Sequence, residues 1–245
     1  MYLSDFDFYL PEELIATRPA NPRSSARLLV AKGDKIFDSF VDNLPKFLKS
    51  GDRLVLNDTK VLPARLIGVR NRSFDGNKIS SANIEVTLLA EKKQHIWSAL
   101  IKPLRRIKLG ETIYFNKNFK AKLIDKVNGQ ALLQFNIEGS EFMKCLEDLG
   151  IMPLPPYIAS KRKADNYDKL DYQTVFAWKL GSVAAPTASL HFDDGLLGKI
   201  RNIGVGISFV TLHVGAGTFL PVKDEDVKKH KMHAEYGEIS QQTVE

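Results

Sequence analysis

The chain has 245 residues, 44% of them hydrophobic, and carries 35 Lys and Arg against 29 Asp and Glu for a net charge of +6. That apolar content supports a sizeable core in one large or two ordinary domains and excludes a disordered chain, while the single cysteine, Cys145, excludes an internal disulfide. No run approaches the ~20 apolar residues of a membrane helix, and MYLSDFDFYLPEE lacks the basic end and apolar run of a signal peptide, so the expected location is cytoplasmic with no membrane partner.

In LPEELIATRP, a proline at the first helical position, acids in the first turn and the Thr17-Arg18-Pro19 stop predict a short helix. DNLPKFLKSG reads as a second, ending at Gly51 and leading into a strand, RLVLN. LNDTKVLPARL follows. Asn57, Asp58 and Thr59 at a strand end suit an Asx turn, and Asp58 is also a candidate base. Lys60 and Arg65 add two cations suited to a carboxylate or phosphate.

From 61 to 149 the texture changes. This segment holds fifteen Lys and Arg against nine Asp and Glu, so the whole positive excess of the chain lies in it. Its short runs alternate apolar and polar residues: IEVTLLAE and HIWSALI are separated by Lys92-Lys93-Gln94, and KLIDKV and QALLQF flank Asn128-Gly129, a hairpin signal. Four to six such strands predict a small antiparallel barrel with its basic positions outward. Lys102, Arg105, Arg106 and Lys108 then offer a field for a polyanion, or form an ordinary solvated face. Phe142, Met143, Leu146 and Leu149 recur at helical spacing, which places Cys145 in or near the core.

Residues 149–177 carry too many prolines and charges for a long regular element and read as a loop-rich traverse. GSVAAPTASLHF comes next: six of its first nine residues are Gly, Ala or Ser, and His191 follows at once. Small side chains let a ligand press against the main chain, and they also suit a tightly packed crossover. Asp193 is placed to cap a helix over DDGLLGKIRNIG, with Leu196, Leu197, Ile200 and Ile203 on one face and Gly204 as its stop. GVGISFVTLHVG reads as a buried strand that ends at His213 and opens into Gly215-Ala216-Gly217-Thr218. Two loops pairing a histidine with small residues, joined by one helix and one strand, are expected to meet at one end of a sheet. HKMHAEY places His230, His233 and Glu235 together, but in no trusted zinc spacing; a metal-dependent hydrolase is a distant alternative. The order of textures predicts a larger α/β domain (α+β mixed) from 1–61 and 150–245, with 62–149 inserted as the barrel.

Long ordered strings carry a resemblance through the whole chain: YLSDFDFYLPEELIATRPANPRSSARLLV, GDRLVLNDTKVLPARLIG, GIMPLPPYI, DYQTVFA, GSVAAPTASLHF, FVTLHVGAGTFLPVK and HKMHAEY. The sequence resembles the S-adenosylmethionine:tRNA ribosyltransferase-isomerases of queuosine biosynthesis. The resemblance implies a larger domain built around a barrel-like sheet, an inserted antiparallel β-barrel, and a cytosolic monomer without a metal. It also implies S-adenosylmethionine as ribosyl donor to 7-aminomethyl-7-deazaguanine at the wobble position of a tRNA, giving epoxyqueuosine with release of adenine and methionine.

That chemistry asks for a base at the carbon beside the sulfonium and an acid for the leaving adenine. His191 and His213 are the candidates, with Asp58 a rival base. Ala185, Pro186, Thr187 and Ala188 in one loop and Gly215, Gly217 and Thr218 in the other would wall the methionine and ribose, with His233 and Glu235 as further contacts. Lys60 or Arg65 would hold the methionine carboxylate or an RNA phosphate. Lys102, Arg105, Arg106 and Lys108 would face the anticodon stem-loop, and Arg18, Arg23 and Arg27 form a second candidate surface. Tyr157 is set to stack on a base or pack on the neighbouring prolines. Two departures stand out. Ser189 replaces a common family glycine, and at a positive φ it would cost about 1 kcal/mol or more. The family's later Thr-Thr-Ser-Val-Arg and Asn-Phe-His-Leu-Pro stretches do not occur, so the expectation divides between a working enzyme, one completed by a separate polypeptide, and an RNA-binding remnant without catalysis.

Overall fold

The structure is a computed structural model and describes residues 1–74, 78–127, 129–219 and 221–245. In chain order it forms β1 (Arg27–Lys32), β2 (Lys35–Phe40), β3 (Arg53–Asn57), β4 (Thr59–Val61), β5 (Arg65–Phe74), β6 (Lys78–Lys93), β7 (Ile96–Lys102), β8 (Thr112–Tyr114), β9 (Lys120–Val127) and β10 (Gln130–Phe135). There follow α1 (Gly139–Leu149), one-turn α2 (Pro156–Ala159) and α3 (Asp168–Asp171), β11 (Lys179–Ser182), α4 (Asp194–Asn202), β12 (Gly206–His213), β13 (Tyr236–Ile239) and one-turn α5 (Gln241–Val244). The chain divides into two compact units, 62–153 and 1–61 with 154–245.

Unit 62–153 is a closed antiparallel barrel of six strands among the described residues, in the order β10-β7-β6-β5-β8-β9. Period-two alternation builds it: Ala82, Ile84, Val86 and Leu88 of β6 point inward, and their neighbours along the strand do not. Alanines at 99, 121 and 131 leave room for Phe119 and Phe135, which stack at 5.3 Å between ring centres, and Phe142 of α1 meets both edge-on. Burying each such ring is worth roughly 1.5–3 kcal/mol. Asn128 of the expected hairpin turn lies outside the described residues; Gly129 beside it has φ +77°, as that turn requires. Outside the barrel, Glu111 holds Arg72 through both oxygens (2.7 and 3.0 Å) and accepts the Lys108 N–H (2.6 Å).

Gly150, just past α1, is a steric requirement. A methyl there would overlap the carbonyl oxygens of Pro63 and Leu146, which are backbone and have little freedom to retreat. Gly150→Ala is expected to destabilise this unit by about 1–3 kcal/mol, seen as a lower urea midpoint for loss of Trp97 fluorescence; an unchanged midpoint would show that the turn yields.

The other unit holds a three-stranded sheet, β13-β12-β3, in which β12 runs parallel to β3 and antiparallel to β13. It also has the parallel pair β11-β4 and the β1-β2 hairpin. α4 forms as its pattern dictates: Asp193 accepts the Leu196 N–H at 2.8 Å, and Leu196, Leu197 and Ile200 are buried beside Val41, Leu56, Phe192 and Val205. Ile203, expected on that face, lies beyond the last helical residue and is exposed, and Val205 takes its place in the core. The two early helices shrink to 3-10 turns, Glu12–Leu14 and Val41–Phe47. The first has no apolar face to bury, and Pro45 inside the second has no N–H for an α-helical bond. β12 is buried only in part, since Leu212 is exposed. The 149–177 traverse has no regular element longer than the one-turn α2 and α3. No helix among the described residues is long and apolar enough to cross a membrane.

Candidate active site

The two small-residue loops meet. Ser182, fully buried at the end of β11, donates to the Ala184 carbonyl (2.6 Å) and accepts the Val214 N–H (2.9 Å), while the Val214 carbonyl accepts the N–H groups of Val183 and Ala184 (3.0 and 3.2 Å). One hydroxyl and two backbone bonds thus tie GSVA to HVG, and the absence of bulky side chains allows that approach. Val183, Ala184 and Ala185 are buried by it, whereas Thr187 and Ala188 stay exposed in a 3-10 turn from Thr187 to His191. Ser189 lies in this turn, and His95 is the one non-glycine with a positive φ among the described residues, so the expected strain at Ser189 does not arise.

LNDT supplies the third wall. Asn57 accepts the N–H groups of Thr59 (3.1 Å) and Leu212 (3.0 Å) and donates to the Leu212 carbonyl (2.9 Å), so the Asx turn forms and also fastens β3 to β12. Asp58 is half-buried and accepts the Thr211 hydroxyl (2.7 Å). Thr59 is fully buried and its Oγ1 sits 2.8 Å from His213 Nδ1. The same ring lies nearly parallel to Tyr236, 6.3 Å between centres, and against the backbone of Gly181. On the far side of the second loop, Glu235 accepts the Gly215 N–H (2.9 Å) and the His233 ring covers Gly217. His230 and His233 line a cavity of about 560 Å³ with Lys223, Lys229 and Lys231, and Thr218 is exposed. No three His, Cys, Asp or Glu side chains among the described residues converge as metal ligands would.

His191 stands apart from this cluster. It lines a cavity of about 210 Å³ with Tyr157, Tyr172, Arg18, Arg162 and Asp168. Burial pushes the Tyr172 hydroxyl up to about 12, with the Ala185 backbone hydrogen bond pulling the other way, so it stays protonated at neutral pH. Asp168, 1% exposed, accepts both arms of Arg162 (2.9 and 2.6 Å), one of Arg18 (3.1 Å) and the Asp165 N–H (2.8 Å).

A family model described as "Queuosine biosynthesis protein" matches residues 3–245. The chain belongs to the queuosine biosynthesis family. Among curated relatives, the S-adenosylmethionine:tRNA ribosyltransferase-isomerase of Roseobacter denitrificans is 61% identical over 240 residues, 98% of this chain and 68% of that protein. Its namesake from Dinoroseobacter shibae is 58% identical over all of this chain and 69% of its own length. A solved S-adenosylmethionine tRNA ribosyltransferase from Thermotoga maritima aligns at 27% identity over 86% of this chain and 58% of that one, with a TM-score of 0.33, at which the superposition carries no weight for the fold.

Several residues of this queuosine-family chain are employed otherwise than its sequence led us to expect. Arg65, expected at the substrate, is on barrel strand β5 and pairs with Glu85 at 2.6 Å. Lys60 is exposed between buried Thr59 and Val61 on β4, so alternation turns it away from the His213 face. Arg18, expected to meet RNA, is committed to Asp165, Asp168 and Asp171. Arg23 donates to the carbonyls of Gln173 (2.6 Å) and Leu170 (2.7 Å), and Arg27 faces Asp38 at 3.4 Å. By contrast, Lys102, Arg105, Arg106 and Lys108 are exposed, and none forms a salt bridge among the described residues. Sequence reading missed Tyr172, Asp168 and Arg162. The acid run DNYDKLD beside KRK was the available signal, since such opposed charges in a loop mark a clasp as readily as a solvated face.

Proposed function

We propose that the chain transfers and isomerises the ribosyl group of S-adenosylmethionine onto 7-aminomethyl-7-deazaguanine at the tRNA wobble position, releasing adenine and methionine. The naming of relatives up to 61% identical carries the reading, and the junction of the two loops at His213 supports it. In this reading His213 takes a proton from the carbon beside the sulfonium. His191, in the cavity it shares with Tyr172, serves as the acid for adenine departure. Ala185, Pro186, Thr187 and Ala188 with Gly215, Gly217 and Thr218 border the donor, and His233 and Glu235 hold the second loop in place. Asp58, fastened to Thr211, orients β3 against β12. The protein acts as a cytoplasmic monomer with residues 1–61 and 154–245 as one domain and 62–153, four residues longer than the 62–149 expected from the sequence, as an inserted RNA-facing barrel.

The test is turnover with S-adenosylmethionine and tRNA bearing 7-aminomethyl-7-deazaguanine, following adenine and the modified nucleoside together. Stoichiometric appearance of both supports the reading. Salt-dependent tRNA binding with neither product would leave a binding module.

The barrel's part is tested separately. Removing Lys102 and Arg105, or Arg106 and Lys108, as glutamine pairs is expected to flatten the plot of log affinity against log salt by about 0.7–0.9 for each phosphate no longer neutralised. A slope equal to the parent's in both pairs would move the RNA surface elsewhere.

A further inference from the structure

His213 has two ring nitrogens in unlike settings. Nδ1 faces the hydroxyl of Thr59, a residue with no solvent exposure, at 2.8 Å. The hydroxyl proton of Thr59 has an acceptor other than Nδ1 in the Lys179 carbonyl oxygen, at a long 3.5 Å. With its proton turned there, the Thr59 oxygen presents lone pairs to the ring, and the ring supplies the hydrogen. Nε2 has no hydrogen-bond partner among the described residues and lies beside Gly181. At that glycine φ is +153°, and a Cβ would stand 2.7 Å from Cε1, 2.8 Å from Nε2 and 2.9 Å from Nδ1, against the ring as a whole. Any larger residue at 181 would therefore push the ring out of its place beside Thr59.

We infer that Thr59 is a positioning residue that fixes His213 as the Nδ1–H tautomer, leaving the Nε2 lone pair as the site's base, and that Gly181 gives the ring the room to reach Thr59. The inference rests on the proposed reaction for its catalytic meaning. In the proton transfer, the C–H bond beside the sulfonium breaks, its electron pair stays on that carbon, and Nε2 forms the new N–H bond. The imidazolium so formed keeps its Nδ1–H on Thr59, which holds the ring still while the charge appears. A buried hydroxyl does here what a carboxylate or carbonyl does for other histidine bases: it chooses which nitrogen carries the resting proton.

The experiment is long-range ¹H–¹⁵N NMR of ¹⁵N-histidine protein at about pH 8.5, above the ordinary histidine range, with turnover measured alongside. The parent is expected to show His213 protonated at Nδ1, and Thr59→Val to show the other tautomer or a mixture. Thr59→Val should lower kcat about 10²-fold with KM for S-adenosylmethionine within about two-fold, and Thr59→Ser should restore both readouts. Gly181→Ala should lower kcat and weaken the Nδ1–H preference together, because its Cβ would displace the ring from Thr59. A parent spectrum with the proton on Nε2 overturns the inference, as does parent-like kcat in Thr59→Val. The tautomer is read without turnover, so failure of the reaction reading and failure of this assignment are seen separately.

Discussion

Asparagine at position 213 is expected to slow adenine release by about 10³-fold with little change in the apparent affinity for S-adenosylmethionine. The size follows from the setting. His213 is held at one nitrogen by Thr59 and flanked by Tyr236 and Gly181, so the ring is oriented before substrate arrives. Asparagine can still meet the Thr59 hydroxyl but cannot take a proton. The same change at His191 should cost less, because His191 is exposed at the rim of a cavity it shares with Tyr172. If the His213→Asn protein turned over within a few-fold of the parent, the base would have to be sought elsewhere, with Asp58 the next residue to change.

The second large effect is on stability. Asp168→Ala should destabilise the unit formed by 1–61 and 154–245 by about 3 kcal/mol, because it leaves Arg162 and Arg18 partly enclosed without their shared carboxylate. Hydrogen exchange across 162–172 reads this without requiring the two units to unfold together. The pH dependence has a definite sign. Burial pushes the Asp168 carboxyl up, but hydrogen bonds from Arg162 and the Asp165 N–H, with the fields of Arg162 and Arg18, hold it below the usual range. A carboxyl lower in the folded than in the unfolded state contributes fully above about pH 4 and loses that contribution as pH falls through its folded value. Protection at 162–172 should therefore fall on acidification in the parent and be nearly flat in Asp168→Asn. A parent-like acid response in that variant would assign the effect to Asp165 or Asp193, whose carboxyls are also lowered.

The barrel was legible because its rule is local. Alternation in β6 names its inward face, and no distant residue is needed to see it. The α4 cap was legible for the same reason, as Asp193 reaches only to Leu196. The short early helices misled because capping signals say where a helix begins and nothing about whether a face exists to bury it; residues 12–14 have none buried. At the site, His213 and the loop glycines could be picked out by residue type. Thr59 could not: it is an unremarkable strand residue until β4, β11 and β12 bring its hydroxyl to an imidazole 154 positions away. Arg18 failed for the converse reason, since its three carboxylate partners lie about 150 residues along the chain and its charge looks free until they arrive.

The parallel pairing of β3 with β12 has a consequence for the order in which the chain assembles. Arg53 lies opposite Gly206, so β3 leaves the ribosome long before the strand that must lie beside it exists. In between, residues 62–153 emerge with neighbours that pair mostly by hairpins and can close as soon as β10 appears. Once they are folded, the two ends of that unit are held together, and the search of β3 for β12 begins with its intervening chain already shortened. The barrel is thus expected to act during synthesis as a tether that brings a distant sequence near, and the slow step of biogenesis should be the docking of residues 206–213, when Thr59 first meets His213.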